Sequence, residues 1–354
     1  MVQPIKGRGT ALRPPGRFES RDTARVDDGW GTIEEELPPF KTTVTPERAK
    51  SIISRNDSPD IGFDQSINPY KGCEHGCIYC YARPSHAYLN LSPGLDFESK
   101  LFYKPNAAEL LDRELRKPGY QVRNISLGAN TDPYQPIERR LEVTRSILQV
   151  LARFRHPVGI ITKGSMIERD LDLLMDLARD RLVSVGITLT TLDPELKRTL
   201  EPRASSPQAR LRVMRKLSAA GIPVRVMFSP VIPCVNDAEL ERVLEAAAEA
   251  GAGTASYVLL RLPYELKELF REWLDAHMPL RAAHVMSLIN QSRGGKDYQA
   301  EFGSRMRGSG QFAELIARRF ALARRRYGLD RSGEASNTAA FRVPPAAGDQ
   351  MGLF

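Results

Sequence analysis

Short apolar segments alternate with longer stretches in which apolar residues recur every three or four positions along most of this chain. Val- and Ile-rich segments bounded by Gly, Pro or Asn are typical of buried strands, and the longer periodic stretches are typical of amphipathic helices. Strands are predicted over residues 66–72, 124–128, 157–162, 182–189, 222–229 and 254–260. Helices are predicted over residues 107–116, 138–154, 167–179, 207–220, 237–250 and 264–276.

This alternation predicts an α/β fold with a parallel sheet built from βα units. Six units are too few for a closed eight-stranded barrel. We therefore expect an open, partial (βα)6 barrel, with a plain doubly wound sheet as the alternative. Ser206 and Asn236 are predicted N-caps, because each directly precedes a predicted helix.

The chain divides into four predicted regions. Residues 1–60 are rich in Pro, Gly, Arg and Glu and are predicted to form a mobile or loosely docked N-terminal extension. Residues 61–278 are predicted to form the βα core, and residues 279–331 a mostly helical, basic C-terminal extension. Residues 332–354 are mostly small and uncharged, which favours a flexible tail.

The overall composition is that of a globular protein, with 42% apolar and 27% charged residues among 354. It argues against global disorder, a fibrous repeat or a small disulfide scaffold. The sequence contains no run of about 18 apolar residues that would predict a membrane span. The basic N-terminus has no apolar stretch like that of a secretory signal. We therefore expect a cytoplasmic protein with no membrane partner.

The net charge of +8 is concentrated near the two ends of the chain. Residues 1–26 carry six basic and two acidic side chains, and residues 279–331 carry eleven basic and four acidic ones. Such patches favour nucleic acid, and Tyr298, Phe302 and Phe312 lie among these arginines as stacking candidates. The alternatives are a solvated basic face and a helical extension that covers the open barrel.

Three of the four cysteines lie within eight residues, after the first predicted strand. Cys73, Cys77 and Cys80 have the spacing C-x3-C-x2-C, which in a large protein indicates metal binding or redox chemistry and not a disulfide framework. Three thiolates can hold three irons of a [4Fe–4S] cluster and leave the fourth iron open to an external ligand. The alternatives are a zinc site completed by His75 and unligated thiols.

The cysteine loop, with Tyr79 just before the third cysteine, resembles that of the radical S-adenosylmethionine (SAM) superfamily. Within it, KGCEHGCIYCYAR, TDPYQPIE and SPVIPCVND resemble the group of spore photoproduct lyase and "DNA repair photolyase" proteins, over about residues 60–310. The resemblance implies a barrel of the radical SAM type and a [4Fe–4S] cluster that binds SAM. One electron, from a donor such as flavodoxin or ferredoxin, then gives methionine and a 5′-deoxyadenosyl radical that abstracts hydrogen from the substrate.

The resemblance also implies a set of cofactor-binding residues in the cysteine loop and at predicted strand ends. They are Tyr79, Gly128, Ala129, Asn130, Lys163 and Thr188. Tyr79 is expected near the adenine, the small residues 128–130 near the methionine amino group, and Lys163 at the carboxylate. Each also has a structural interpretation, such as loop packing or a solvated strand end.

Two residues are candidates for hydrogen or radical transfer. Tyr81 matches a tyrosine that assists this step in the lyases, and its alternative is a packed aromatic. The lyases use a cysteine near the end of the second strand, and NISLGANTD has none. Cys234 is the spare thiol, as a hydrogen donor or as a small buried apolar residue. Spore photoproduct repair itself is therefore not the expected reaction.

For four charged residues, the sequence does not decide between a contact with the cofactor and a structural role. Asp132 and Glu138 can contact the cofactor or cap helices, and Glu201 and Arg203 can pair with each other or face the ligand. In radical SAM proteins, as in other parallel α/β sheets, ligands lie beyond the carboxyl ends of the strands, and this whole set lies at such ends.

The expected function is radical SAM chemistry on nucleic acid, most of all damaged DNA, as in a DNA-repair lyase. One alternative is modification of RNA, a protein or a small metabolite. Another is a non-catalytic iron–sulfur protein that binds DNA or transfers electrons. The terminal residues Gln350, Leu353 and Phe354 resemble the short peptide by which bacterial repair proteins bind the sliding clamp, which makes the clamp a candidate partner.

Overall fold

The computed structural model describes residues 5–18, 41–331 and 336–345. Its strands lie in two sheets. They are β1 (Thr43–Pro46), β2 (Ser54–Arg55), β3 (Gln65–Ile67), β4 (Tyr70–Lys71), β5 (Lys100–Tyr103), β6 (Ile125–Leu127), β7 (Val158–Thr162), β8 (Val183–Thr188), β9 (Val224–Val231) and β10 (Thr254–Leu259).

The large sheet has the order β2–β3–β6–β7–β8–β9–β10. From β3 to β10 its six strands are parallel and follow the chain order, whereas β2 pairs antiparallel with β3 at one edge. The two edges do not pair in the described part of the chain, so the sheet is open. The predicted α/β fold with an open (βα)6 arrangement is therefore confirmed.

Helices follow the parallel strands and cover the sheet, because their apolar stripes need burial. They are α1 (Leu95–Ser99), α2 (Ala107–Leu115), α3 (Glu138–Leu141), α4 (Val143–Arg153), α5 (Leu171–Arg179), α6 (Pro194–Leu200), α7 (Pro207–Ala219), α8 (Leu240–Glu249), α9 (Leu266–His277), α10 (Ala282–Gln291) and α11 (Gly310–Arg326). One apolar core of strand and helix side chains includes Ile147, Val185 and Val243.

Several elements differ from the sequence prediction. The helix predicted over 138–154 is interrupted at Glu142, which has a left-handed backbone with φ of 52°. The strand predicted over 66–72 is two short strands, β3 and β4, that belong to different sheets. The Ser206 side chain caps α7 by accepting from the Ala209 N–H. Asn236 makes no cap, because its side chain bonds the backbone of Ile232 and Thr190.

The predicted terminal extensions contain segments with defined contacts. Strands β1 and β2 come from residues 41–60, and β1, β5 and β4 form the small second sheet. In the predicted tail, Phe341 packs on Phe154 and its ring lies 5.7 Å from His156. The clamp-like peptide that contains Gln350, Leu353 and Phe354 lies outside the described residues.

Helices α9 to α11 form the region after β10. On α11 the buried residues recur at helical spacing, with Phe320 against Tyr257 of β10 at 4.6 Å between ring centroids. The helix therefore covers the β10 side of the open sheet, while Arg318, Arg325 and Arg326 stay exposed. Among the described helices, none has the length and apolarity that crossing a membrane requires.

Candidate functional site

Most of the predicted site residues lie at the carboxyl edge of the large sheet. Gly128, Ala129 and Asn130 follow β6, Lys163 follows β7, and Thr188 is the last residue of β8. The cysteine loop begins after β4, and Cys234 follows β9. Parallel strands bring these separate segments together at one edge, where α/β proteins bind their ligands.

The cysteine loop holds three free thiols close together. Cys73 and Cys77 are buried in two different apolar clusters. Cys80 is half-buried and packs against both clusters. Hydrogen bonds to other segments fix the backbone of this loop. The Cys73 N–H donates to Phe97 O at 2.9 Å, and the Ile78 N–H donates to Leu200 O at 3.0 Å.

This arrangement fits a cubane cluster better than a single ion. No group of three or more His, Cys, Asp and Glu side chains in the described residues is placed to hold one metal ion. In a cubane each thiolate binds a different iron, so the three sulfurs need not converge on one point. The same observation argues against the zinc alternative, in which His75 would complete a four-ligand site.

Burial governs the ionisation of the two inner thiols. It raises the pKa of Cys77 to about 12, and it raises the pKa of Cys73 well above its ordinary value, with the Asp132 carboxylate as a second cause. Without iron these thiols are therefore protonated, and binding of a cluster must release their protons.

Asp132 organises the turn after β6. Its carboxylate accepts from Thr162 Oγ1 at 2.6 Å, from the Lys163 N–H at 2.7 Å and from the Tyr134 N–H at 2.9 Å. Burial opposes ionisation, but His75, followed by the Thr162 hydroxyl and the Lys163 N–H, lowers the pKa of Asp132 to about 2. The role of Asp132 in the structure is thus to join the turn, β7 and the cysteine loop.

The turn that Asp132 organises begins with a required glycine. Gly128 has φ of +89°, and a Cβ there would lie 2.2 Å from the Ile161 carbonyl oxygen of β7. The Asn130 N–H is already bonded to Asn68 Oδ1 at 2.9 Å, and the Ala129 carbonyl accepts the Tyr81 hydroxyl. Half of the Tyr81 side chain remains exposed at this edge.

A buried polar cluster joins the cysteine loop to the segments after β7 and β8. The Tyr79 hydroxyl donates to Glu201 and lies 3.2 Å from Thr190 Oγ1. Glu201 forms a fully buried ion pair with Arg210 of α7, which also donates to Thr188 O at 3.0 Å. Burial opposes ionisation of Glu201, yet Arg210 and Lys163 lower its pKa to about 2.

Lys163 lies beside this cluster without a hydrogen-bond partner for its ammonium group among the described residues. Its Nζ is 5.8 Å from the centroid of the Tyr79 ring. Burial alone would lower the pKa of Lys163, but the negative charges of Cys77, as a thiolate, and of Glu201 raise it further than burial lowers it. The edge therefore carries a stable positive charge next to the cysteine loop.

The four charged residues left open by the sequence have structural partners. The Glu138 carboxylate accepts hydrogen bonds from the Tyr70 hydroxyl and the Thr144 N–H, and it forms an ion pair with Arg169 at 2.7 Å. Glu201 and Arg203 do not pair with each other, because Arg203 contacts Glu74 at 3.0 Å.

Cys234 is a half-buried thiol at the same edge. It has φ of 56° and packs against the apolar cluster that contains Cys77 and Tyr79. Burial, followed by the Asp237 carboxylate, raises the pKa of this thiol. Its S–H form is therefore the stable one at neutral pH.

A sequence profile of the Radical SAM superfamily matches residues 67–247, which include the cysteine loop and the strands from β6 to β9. The chain belongs to the radical SAM superfamily. The cofactors of this superfamily are a [4Fe–4S] cluster and SAM. Bound at this edge, the two supply reductive cleavage of the sulfonium. In this superfamily the electron for that cleavage comes from an external donor.

Relatives of this radical SAM protein occur in bacteria and archaea. An uncharacterized protein of Mycobacterium tuberculosis is 40% identical over 221 residues, which are 62% of this chain and 65% of that protein. The chain thus spans just under two thirds of the length of this relative. An uncharacterized protein of Methanocaldococcus jannaschii is 28% identical over 232 residues, 66% of this chain and 82% of the relative.

Among solved structures, spore photoproduct lyase complexed with dinucleoside spore photoproduct has a TM-score of 0.61 to this chain at 13% identity, and the match covers 83% of each chain. A further structure of that lyase, solved as a mutant, has a TM-score of 0.59 at 12% identity, with 81% of this chain and 80% of the lyase covered. At this identity the likeness shows a shared fold.

Sequence reasoning missed two buried arginines of this radical SAM site, Arg83 and Arg210. Arg210 occurs at helical spacing with Val213, Met214 and Leu217, so it lies in the apolar stripe of α7. A cation at such a position needs a buried anion, and that signal was present in the sequence. Arg83 follows the cysteine motif with no comparable periodicity, and only its contacts identify it.

Proposed function

We propose that this radical SAM enzyme acts on nucleic acid, and the observation that carries the proposal is the environment of Arg261. This residue lies two positions after β10, at the cofactor edge. Its guanidinium carbon is 5.8 Å from the Tyr81 ring centroid and 5.9 Å from that of Tyr298. Its Nε is buried without a hydrogen-bond partner, and its other nitrogens donate to Tyr298 Oη at 3.2 Å and contact Met306 Sδ at 3.5 Å.

A second uncompensated arginine lies beside Arg261. Arg293 donates to carbonyl oxygens only, including Leu260 O at 2.7 Å and Arg305 O at 2.8 Å. Burial, and then the nearby Arg261 charge, lowers the pKa of Arg293 to about 10. No carboxylate within the described ranges pairs with either guanidinium. Two cations without a paired carboxylate, of which Arg261 lies between two tyrosine rings, favour a phosphate group with adjacent bases.

Other features support the same substrate class. Phe302 is exposed, with the Arg305 guanidinium 4.7 Å from its ring centroid. The fold neighbour spore photoproduct lyase has been solved with a dinucleoside lesion. The exposed arginines of α11 add positive charge, although Arg319 is neutralised by Glu241 at 2.6 Å. We infer a DNA-repair-like reaction from these features together.

The cofactor contacts are part of the same proposal. Cys73, Cys77 and Cys80 would hold the cluster, and Lys163 would bind the SAM carboxylate. Tyr79, Gly128, Ala129, Asn130 and Thr188 line the same edge as proposed cofactor neighbours. The ammonium of Lys163 supports this assignment because it has no bonded carboxylate of its own in the described residues, and it is held next to Tyr79.

Lys163→Met is expected to raise the Kd for SAM roughly tenfold or more, because a charge-assisted hydrogen bond contributes about 1.5–3 kcal/mol. Equilibrium dialysis of SAM against the cluster-loaded protein measures the change. Lys216→Met is the control, since that lysine pairs with Glu168 on the surface. Equal SAM affinity in wild type and Lys163→Met would remove Lys163 from the proposed site.

Arg261→Gln is expected to weaken binding of a short DNA strand about tenfold and to lower the salt dependence by about one phosphate contact. Fluorescence anisotropy over a series of salt concentrations measures both quantities. Arg225→Gln is the matched control, because Arg225 is exposed at the start of β9, away from the cofactor edge.

Label transfer tests the function itself. When the reduced, SAM-loaded enzyme is incubated with deuterated DNA, deuterium is expected in the 5′-deoxyadenosine that forms. Deuterium from RNA, a protein or a metabolite instead would support the alternative substrate classes. If the reduced, SAM-loaded protein forms no 5′-deoxyadenosine, the non-catalytic alternative is supported instead.

Further roles complete the proposal. Tyr81 and Cys234 are proposed hydrogen-atom donors, because their O–H and S–H groups lie at the edge where a substrate radical would form. Each transfer would leave a phenoxyl or thiyl radical that the electron donor, proposed to be flavodoxin or ferredoxin, must reduce. Binding of Gln350, Leu353 and Phe354 to a sliding clamp stays a prediction, as does a cytoplasmic location.

A further inference from the structure

The N-terminal segment of residues 5–18 lies against the outer side of the cysteine loop, and we call this segment the strap. The Gly9 N–H donates to Glu98 Oε2 at 2.9 Å, and Arg8 Nη1 donates to the Glu98 carbonyl at 2.8 Å. A Cβ on Gly9 would lie 1.8 Å from the Gly76 carbonyl oxygen. Strap and loop are therefore in backbone contact at Gly9 and Gly76, where a side chain has no room.

Glu98 connects the strap to the peptide groups next to a candidate iron ligand. Its carboxylate also forms a fully buried ion pair with Arg83. The Arg83 guanidinium in turn donates to Cys77 O at 2.9 Å and to Gly76 O at 3.1 Å. A buried ion pair fixes geometry well because each charge loses much free energy without its partner. The strap thus contacts the same carboxylate that orients the guanidinium behind Cys77.

The rest of the strap is attached on both sides of the loop. The Leu12 carbonyl accepts the Leu95 N–H at 2.9 Å, and Leu12 packs against the apolar cluster that contains Cys77. Arg13 pairs with Asp96 at 3.0 Å. Arg17 lies 3.7 Å from the Tyr264 ring centroid and pairs with Glu265 at 3.1 Å, just before α9.

We propose that the strap is a positioning segment for the iron–sulfur cluster. Through Glu98 and Arg83 it fixes the Gly76 and Cys77 peptide groups, and it covers the outer side of the loop against water and chelators. When groups that hydrogen-bond to metal ligands and orient them are removed, the protein binds its metal less tightly. The proposal rests on the assignment of the cluster to Cys73, Cys77 and Cys80.

Gly9→Ala tests the strap without removing any side chain. The added methyl group cannot coexist with the Gly76 carbonyl, so the strap must move away from the loop. We expect loss of the cluster in excess EDTA, followed by its visible absorbance under anaerobic conditions, to be about tenfold faster. The EPR spectrum of the reduced cluster should also change, because its peptide surroundings are no longer fixed.

Two controls separate the strap from general effects. Gly62→Ala places a methyl group in open space, and Lys6→Ala changes an exposed side chain of the strap itself. Both should lose the cluster at the wild-type rate. A second strap variant, Arg13→Ala/Arg17→Ala, loosens the far half of the strap without a clash and should also accelerate the loss.

Thermal unfolding of the cluster-free proteins shows whether the fold is intact. Faster loss in both strap variants at an unchanged Tm supports the proposal, and a wild-type rate in Gly9→Ala overturns it. If Gly9→Ala lowers the Tm, the Arg13→Ala/Arg17→Ala variant is used in its place. Faster cluster loss in that variant at an unchanged Tm supports the proposal, and a wild-type rate overturns it. A Cys77→Ala protein that kept its cluster would refute the ligand assignment instead, which is a separate failure from a strap without effect.

Discussion

Cys77→Ala is expected to reduce the bound iron and sulfide to background and to abolish the formation of 5′-deoxyadenosine from SAM. In the proposed site each thiolate would hold a different iron, so the two thiolates left in the variant would not retain the cluster. Anaerobic reconstitution, metal and sulfide analysis and chromatography of the dithionite-reduced mixture measure the three quantities. The small, buried change is not expected to prevent folding, which circular dichroism of the cluster-free protein checks.

Cys234→Ala is the matched control for that experiment. The Cys234 thiol is half-buried at the same edge of the sheet, but it follows β9 and lies outside the cysteine loop. This variant should keep the full cluster. A Cys77→Ala protein with normal iron and sulfide would contradict the site proposed here, and so would a Cys234→Ala protein without a cluster.

Arg210→Met is expected to lower the free energy of unfolding by about 3–5 kcal/mol, because it leaves the Glu201 carboxylate buried without its counterion. The loss should be largest above pH 4.5, where an unfolded glutamate is ionised, and should shrink as the pH falls toward about 2, where Glu201 becomes protonated in the fold. Urea unfolding of the cluster-free protein at several pH values measures it.

Arg212→Met, two residues further along α7, provides the comparison. Arg212 is more than half exposed and pairs with Glu168 on the surface, so its removal should cost about 0–1 kcal/mol. The double variant Glu201→Gln/Arg210→Met should recover part of the stability that Arg210→Met loses. If Arg210→Met and Arg212→Met cost the same, the buried pair does not stabilise the fold as proposed.

The fold was largely predictable because its strands are buried and locally encoded. The strand predicted over 182–189 is observed as Val183–Thr188, since Val and Ile at these positions have only one environment that suits them. Local interruptions escaped the prediction, as at Glu142, whose positive φ is not indicated by its residue type. The short strands of the second sheet were also missed, because pairing between β1 and β5 joins segments far apart in sequence.

The site was predictable only where its signal is local. The cysteine spacing lies within eight residues and can be recognised from the sequence alone. The partner of Arg210, Glu201, is nine residues away and outside the helix that carries Arg210. Arg261 meets its aromatic neighbours across 180 and 37 residues of chain. Asn236 is the opposite case. Its local sequence predicts an N-cap, but its side chain instead forms hydrogen bonds with the backbone of Thr190, Pro230 and Ile232.

The position of Phe341 has a consequence for the path of the chain. Phe154 and His156, on which its ring packs, precede β7, whereas Lys163 follows that strand. A five-residue strand is roughly 17 Å long. The chain at Phe341 is therefore held near the amino-terminal end of β7, at the face of the sheet opposite the edge with Lys163.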